Sequence, residues 1–457
     1  MRIGRKADLD MTEGPFLKKI LIFIIPVCLT HVLQNLYHAA DLAVIGRFRG
    51  DAALAAIGSV ASLNAMIISL FMGLSSGAGI VVAQAIGARR GERVSRVLHT
   101  AVLMAALLGV MVGGTCFAVA PAFLRWIEVP ANIFDQALLY IRIIFCGFPV
   151  SMVYNYAASM VRATGDSTHP LMFLTISGVT NVLFNLLMVL SFGMGVEGVA
   201  IATVVSQALS ATLMIAFLVR QKGDMHLSLR RLALDGAAAK DILYIGVPLG
   251  IQNTLFNFAN VLVQSAVNRF GDVAIAAKTA AGNLENFVYV AIGSVNQGAI
   301  TFVGQNVGAG KKENIKRITF SCLTLGLVIA SVGALALLLF RSFFVGLYVD
   351  NPAVAEIAYR KLFLTMPLYP LVAVMEILNS ELRSMGKSIT AMCISLFAAC
   401  AVRIFWVEVM VSLYPSIDMV FLAHPASFIV GFVANVSIFI LTFRRFCGKK
   451  SEVAEPG

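Results

Sequence analysis

Apolar runs of about twenty residues recur along this whole chain, and that recurrence limits what it can fold into. A helix needs roughly 20 apolar residues to cross about 30 Å of hydrocarbon. Twelve such segments follow one another, at 17–46, 52–86, 97–121, 136–161, 170–191, 198–220, 241–268, 273–306, 319–341, 354–382, 389–413 and 419–443. Several exceed 25 residues, which predicts tilt, kinks or ends that project beyond the bilayer. Of the 457 residues 59% are hydrophobic and only 13% are charged, where a soluble domain carries about a quarter charged. The expected class is an all-α polytopic membrane protein with twelve transmembrane helices and the lipid bilayer as its surroundings.

A net charge of +11 raises the question of nucleic acid, and the distribution of that charge answers it. The basic residues crowd both ends of the chain and the loops after the even-numbered segments. That side holds 25 of the 35, while Arg47, Arg49, Arg125, Arg269 and Arg341 lie in the opposite loops. This is the positive-inside pattern of a multi-pass protein of the bacterial cytoplasmic (inner) membrane with both termini cytoplasmic. No nucleic-acid partner is expected. The opening "MRIGRKADLD" shows no cleavable signal. The seven cysteines are scattered without a CxxC pair and read as small packing residues.

The chain also repeats itself. "GDAALAA" at 50–56 answers "GDVAIAA" at 271–277, and "QAIGARRGE" at 84–92 answers "QNVGAGKKE" at 305–313. Pro149 answers Pro370, and "RATGDS" at 162–167 answers "RSMGKS" at 383–388. All four pairs share an offset of 221 residues. The expected organisation is an N-terminal six-helix lobe at 1–219, a cytoplasmic linker at 220–240, a C-terminal six-helix lobe at 241–443 and a tail at 444–457. Six is even, so both halves insert the same way, and in transporters built so the substrate site lies between the halves.

Two short patterns resemble enzyme motifs and lack their context. "GMGVEG" at 193–198 fits GxGxxG but joins two membrane segments and follows no strand. "GQNVGAGKKE" lacks the spacing and the hydroxyl of a phosphate loop. No catalytic constellation stands out, so neither an enzyme nor a cofactor is expected.

The polar residues inside the spans carry more. At helical spacing His31, Gln34, His38 and Asp41 share one face, as do Ser177, Asn181 and Asn185, and Asn253, Asn257, Asn260, Gln264 and Asn268. The eighth segment adds Asn283, Glu285 and Asn286, and the tenth adds Glu376 and Asn379. A lone amide of this kind reads as interhelical glue. Aligned stripes in both halves predict a lined cavity. Asp41 is the sharpest signal. A carboxylate at membrane depth pairs, binds a cation or takes a proton. The structural alternative is an ion pair with Arg47 or Arg49. Lys278 with Glu285, and Arg403 with Glu408, read as mutually neutralising pairs. Arg142, Arg360 and Lys361 read as snorkelling ends.

The stretches "MTEGPFLKKI", "LYHAADLAVIGRF", "VVAQAIGARRGE", "YNYAASMVRATGDSTHP", "GVEGVAIATVVSQ" and "VNQGAITFVGQNVGAGKKE" resemble the multidrug and toxic compound extrusion (MATE) transporters. The likeness spans both halves and is nearest to the bacterial DinF-like branch. It implies a V-shaped pair of six-helix lobes working by alternating access. It implies a monomeric antiporter that exports small organic, often cationic and amphipathic molecules against an inward flow of H⁺ or Na⁺. It also implies an ion-coupling site at Asp41, Asn181, Asn185 and Thr203, with Na⁺ as the metal those four would hold and His38 as a second titratable group. Asn185 stands where many relatives carry aspartate, and one carboxylate with two amides favours H⁺ over Na⁺. The expected substrate-lining residues are Gln34, Tyr37, Asn155, Asn257, Gln264, Asn283, Glu285 and Glu376. Arg162 and Arg383 are assigned to loop structure. The alternatives are a flippase for a lipid-linked or polar metabolite substrate, which would need a strongly cationic cavity, and a non-coupled channel or receptor.

Overall fold

A computed structural model describes residues 10–448. The expected basic residues Arg2, Arg5, Lys6, Lys449 and Lys450 lie outside the described residues. Twelve spans follow in order: α1 Phe16–Arg49, α2 Asp51–Gly87, α3 Gly91–Trp126, α4 Ala131–Ala163, α5 Thr168–Ser191, α6 Val196–Arg220, α7 Gly236–Asn268, α8 Asp272–Gly308, α9 Lys312–Leu339, α10 Pro352–Ser384, α11 Ser388–Leu413 and α12 Ile417–Phe446. Eleven pass as membrane helices by length and composition, and α4, bent by 46° where Gly147 and Pro149 interrupt it, supplies the twelfth. Helices are the form such a chain must take, because hydrocarbon offers backbone groups no other partner.

The repeat is visible in the backbone as well as in the residue types. Helices α2 and α8 begin and end at the 221-residue offset, and so do α4 and α10. Gly50 and Gly271 precede α2 and α8 with φ of 80° and 83°, a region in which a Cβ is strained. Gly165 and Gly386 turn the chain after α4 and α10 with φ of 99° and 78°.

Contacts gather the described chain into two compact units, Leu29–Gly250 and Asp10–Cys28 with 251–448. The changeovers fall inside α1 and α7, next to Pro26 and Pro248. In the first unit α4 packs against α2, α3 and α6, and Phe148 meets Phe71 and Phe145 edge-on at 5.1 Å each. In the second unit its repeat mate α10 packs against α8, α9 and α12. The central helix of each unit is thus the one carrying the repeated proline.

The segment at 220–240, expected as a linker between lobes, belongs with the first unit. Its irregular backbone needs partners, and α3 supplies them. His99 Nε2 accepts from the Ser228 N–H at 3.0 Å. Thr100 accepts from the Asp235 N–H at 3.0 Å and donates to the Ala233 carbonyl at 3.3 Å. Arg93 pairs with Asp241 at 2.7 Å, and Leu227 is fully buried. In the second unit the stretch "MTEGPF" is held in a similar way. Asn306, itself fully buried, donates to the Met11 carbonyl at 2.8 Å, and Asn314 donates to the Thr12 carbonyl at 2.8 Å.

Helix α2 crosses the first half of α7 on glycine. A Cβ on Gly73 would stand 2.3 Å from the Gly250 nitrogen, and one on Gly77 would stand 2.7 Å from the Gly246 Cα. Both partners carry the small-xxx-small spacing that lets membrane helices touch along their backbones. The obstacle to a side chain here is backbone, which cannot rotate away. Gly77→Val is therefore expected to destabilise the protein by about 1–3 kcal/mol or more. A melting temperature in detergent reads the effect. Gly58→Val on the same helix, where a Cβ meets open space, should leave it nearly unchanged.

Candidate functional site

Asp41 lies in the last third of α1, only 9% exposed, and its side chain reaches α5 and α6. Asn185 Nδ2 donates to Asp41 Oδ1 in a short hydrogen bond. Thr203 Oγ1 stands 3.4 Å from Asp41 Oδ2 and 3.4 Å from Asn181 Nδ2. Asn185 Nδ2 also faces Asn181 Oδ1 at 3.3 Å. The four residues predicted for ion coupling thus form one cluster, with Asn181, Asn185 and Ser177 buried along a single face of α5. Tyr140 of α4 lies within electrostatic reach of Asp41 and has no place in the sequence reading.

Local structure explains the approach of the helices. The Tyr37 ring packs against Gly178, where a Cβ would come within 1.8 Å of the ring, and its hydroxyl faces the Thr175 carbonyl at 3.5 Å. Glycine at 178 therefore lets α1 settle against α5. Just beyond Asn185, residues Leu187–Ser191 widen into a π-turn. Arg49 Nη2 donates to the Val189 carbonyl of that turn at 2.7 Å. Arg49 is thereby committed to backbone, and Arg47 is exposed. Among the described residues Asp41 has no ion-pair partner, so the alternative pairing with Arg47 or Arg49 is not formed.

A single carboxylate inside an apolar bundle with no cation beside it can rest only if a proton or a bound cation neutralises it. The donors fit either. Asp41, Asn181, Asn185 and Thr203 offer hard oxygens of the kind that group 1 and 2 cations prefer, and Asn185 Oδ1 is buried without a hydrogen-bond partner among the described residues. No cluster of three His, Cys, Asp or Glu forms among the described residues, so one formal negative charge is all the site carries.

The other predicted residues are more dispersed. His38 is exposed and forms no hydrogen bond to the cluster. Gln34 is half-buried and bonds His31 one turn earlier. Asn155 donates back to the Ser151 carbonyl of its own helix at 2.8 Å. In the second unit Asn257 is half-buried, Asn283 is exposed, and Glu376 faces Arg383 and Tyr289 electrostatically. Gln264 bonds Asn268 at 2.8 Å and accepts a short hydrogen bond from Lys278.

Several expected pairings are corrected. Glu285 pairs with Lys361 at 2.6 Å, not with Lys278, because α10 brings Lys361 and the Thr365 hydroxyl, also at 2.6 Å, onto the same carboxylate. Lys361 is only 2% exposed and does not snorkel. Arg360 pairs with Asp418 at 3.2 Å, and Arg142 lies over the Phe117 ring. Arg403, also 2% exposed, does not meet Glu408, which points outward. It donates to Asn260 Oδ1 at 2.9 Å and Ser427 Oγ at 3.1 Å and lies over Phe256 at 4.9 Å. Arg383 is buried and donates to Gln252 Oε1 at 2.9 Å, which removes it from a loop role. The repeat offset pointed toward the second of these clusters: Thr203 corresponds to His424, and Arg403 follows the mate of Asn181.

Two repeated six-helix halves, with polar side chains gathered inside an apolar bundle, define a repeat-built helical membrane transporter. The chain belongs to the MatE family, whose model matches residues 26–187 and again 248–409, once in each half. The members of this family are transporters and not enzymes. The probable multidrug resistance protein YoeA of Bacillus subtilis is 28% identical over 449 residues, 95% of each chain. The FAD transporter of Shewanella oneidensis is 24% identical over 319 residues, 67% of this chain and 69% of that one. A solved outward-facing conformation of a multidrug resistance MATE family transporter superposes with a TM-score of 0.90 over 97% of this chain and 99% of that one. At 19% identity that likeness shows the shared fold.

The Glu285–Lys361 pair generates a stability prediction. Removing one partner of a buried pair strands the other charge, at a cost of about 3–5 kcal/mol. Lys361→Met should lower the melting temperature in detergent sharply. The double variant Lys361→Met with Glu285→Leu should recover most of the loss.

Proposed function

We propose that this protein is an ion-coupled antiporter that exports small organic molecules, with Asp41 as its coupling carboxylate and H⁺ favoured over Na⁺. One observation carries the reading: Asp41 is buried against Asn185 and Thr203 with no cationic side chain paired to it among the described residues. A charge so placed follows whatever ion is supplied from the side to which it opens. Loaded with a proton, the carboxyl becomes a donor, and the unpartnered Asn185 Oδ1 is an acceptor beside it. Emptied, the carboxylate again relies on Asn185 Nδ2 and Thr203 Oγ1. The two protonation states therefore demand two hydrogen-bond arrangements between α1, α5 and α6, and a ligand that prefers one arrangement shifts the equilibrium between them.

One carboxylate with two amides and a hydroxyl binds sodium less strongly than two carboxylates would, since the neutral groups add only dipoles. The aspartate on the first helix is what the likeness to the DinF-like branch rests on, and Asn185, where many relatives carry aspartate, departs from it. The names of relatives such as YoeA support a range of drug-like cargo. Positive-inside counting supports both termini in the cytoplasm.

The test is uphill export of a fluorescent organic cation from proteoliposomes under either a proton or a sodium gradient. A proton gradient should drive export by the wild type, and Asp41→Asn should reduce it to the level of protein-free vesicles. Full export by Asp41→Asn under both gradients would refute the role of Asp41, and export driven by sodium alone would refute the ion assignment.

A second variant reads the missing carboxylate directly. Asn185→Asp places two carboxylates in contact, which strengthens cation binding. It should make export by this protein respond to a sodium gradient that the wild type ignores.

A further inference from the structure

The second unit holds more buried positive charge than its carboxylates neutralise. Lys278 bonds Gln264 and Arg403 bonds Asn260 one turn away on the same face of α7, Lys361 and Arg403 both lie within electrostatic reach of Lys278, and Glu285 is the carboxylate nearest them. Glu285 is taken by Lys361 and Thr365. The other nearby carboxylates are engaged elsewhere: Glu376 faces Arg383, Glu381 accepts from the Thr319 hydroxyl at 2.6 Å, and Asp418 pairs with Arg360. Lys278 is left with the neutral amide of Gln264, and Arg403 with neutral Asn260 and Ser427 and two aromatic rings. His424 sits within the field of all three cations, with Nδ1 buried and unpartnered among the described residues.

Two cations without a carboxylate partner inside an apolar bundle are costly, and an anion bound between them offsets that cost. We infer that the second unit binds an anionic group, a carboxylate or a phosphate, between Arg403 and Lys278. With Nε and Nη1 bonded to Ser427 and Asn260, Arg403 offers its Nη2 to an anion oxygen, and the Lys278 ammonium offers a second charge. Lys278 and Gln264 are half-buried, so the site is open on their side. Phe256, half-buried, lies over Arg403 at 4.9 Å and gives the site an aromatic side. The ligand class is therefore an organic anion with an aromatic or apolar body. That this anion is cargo rests on the export reading above, while its binding does not.

The experiment is equilibrium binding, with no gradient, to purified protein in nanodiscs. Carboxyfluorescein is the anionic probe, and a rhodamine methyl ester of similar size is the cationic one. The anion should bind more tightly than the cation. Lys278→Gln and Arg403→Gln should each weaken the anion at least about tenfold, as loss of one charged hydrogen bond dictates, and leave the cation unchanged. Arg403 is buried, so Lys278→Gln, at the accessible position, decides the matter if Arg403→Gln fails to fold. Discs of phosphatidylcholine against phosphatidylglycerol, and added inorganic phosphate, separate the sources. Competition by phosphatidylglycerol alone assigns the site to a lipid headgroup, and competition by phosphate assigns it to a soluble anion. Equal binding of the two dyes, or an anion affinity that Lys278→Gln leaves intact, overturns the inference. Because no ion gradient is used, failure here leaves the Asp41 coupling reading standing, and failure of that reading leaves this one.

Discussion

Hydrocarbon supplies no hydrogen bonds, and this structure is organised by the need to satisfy every polar group from within. The helices follow directly. So do the details at their breaks. Arg49 spends its guanidinium on a carbonyl freed by the π-turn of α5. Ser384 returns its hydroxyl to its own helix at Ser380, and Thr365 does the same at Lys361. The Lys361–Glu285 pair, closed by a threonine, is a charge balanced on the spot. Against so consistent a background the exceptions carry meaning. Among the described residues Asp41 has no cation paired to it and Arg403 and Lys278 have no carboxylate paired to them, and the functional proposals rest on those places.

The two halves share a backbone and differ in the charge they hold. At the repeat offset Asp41 corresponds to Leu262, Asn185 to Trp406 and Thr203 to His424. A carboxylate cluster in one half is thus answered by aromatic and basic residues in the other. A repeat conserves what the membrane demands of the main chain: glycine at the left-handed turns, proline in the central helix, and matched helix lengths. It leaves interior side chains free to diverge. The two proposals therefore fall in different halves, the coupling ion in the first unit and the anionic ligand in the second.

Close contacts hold helices of the first unit against one another. Gly73 and Gly77 against Gly246 and Gly250, and Tyr37 against Gly178, bring helices nearer than any side chain would permit. In a membrane, dispersion and packing drive such contacts, because lipid is as apolar as the helix surface it replaces. A carboxylate on α1 can meet an amide on α5 and a hydroxyl on α6 only where helices sit this close.

The sequence by itself determined the spans, the repeat and the separate polar stripes of α1 and α5, while their union with Thr203 in one site was what the family resemblance implied. Apolar length dictates helices, a constant offset dictates two halves, and Asp41, Asn181 and Asn185 lie on single helical faces whose polar groups must turn inward. Only tertiary structure decided the pairings between helices. Glu285 was legible as a charge, but its partner lies 76 residues away in sequence on α10 rather than seven away on α8. Lys361 read as a snorkelling end, Arg383 as a loop residue and Arg403 as the partner of Glu408, because hydropathy measures a residue's neighbours in the chain, while burial depends on its neighbours in space. The changeover inside α1 and α7 was hidden for the same reason: a continuous helix carries no mark of which unit each half will pack against.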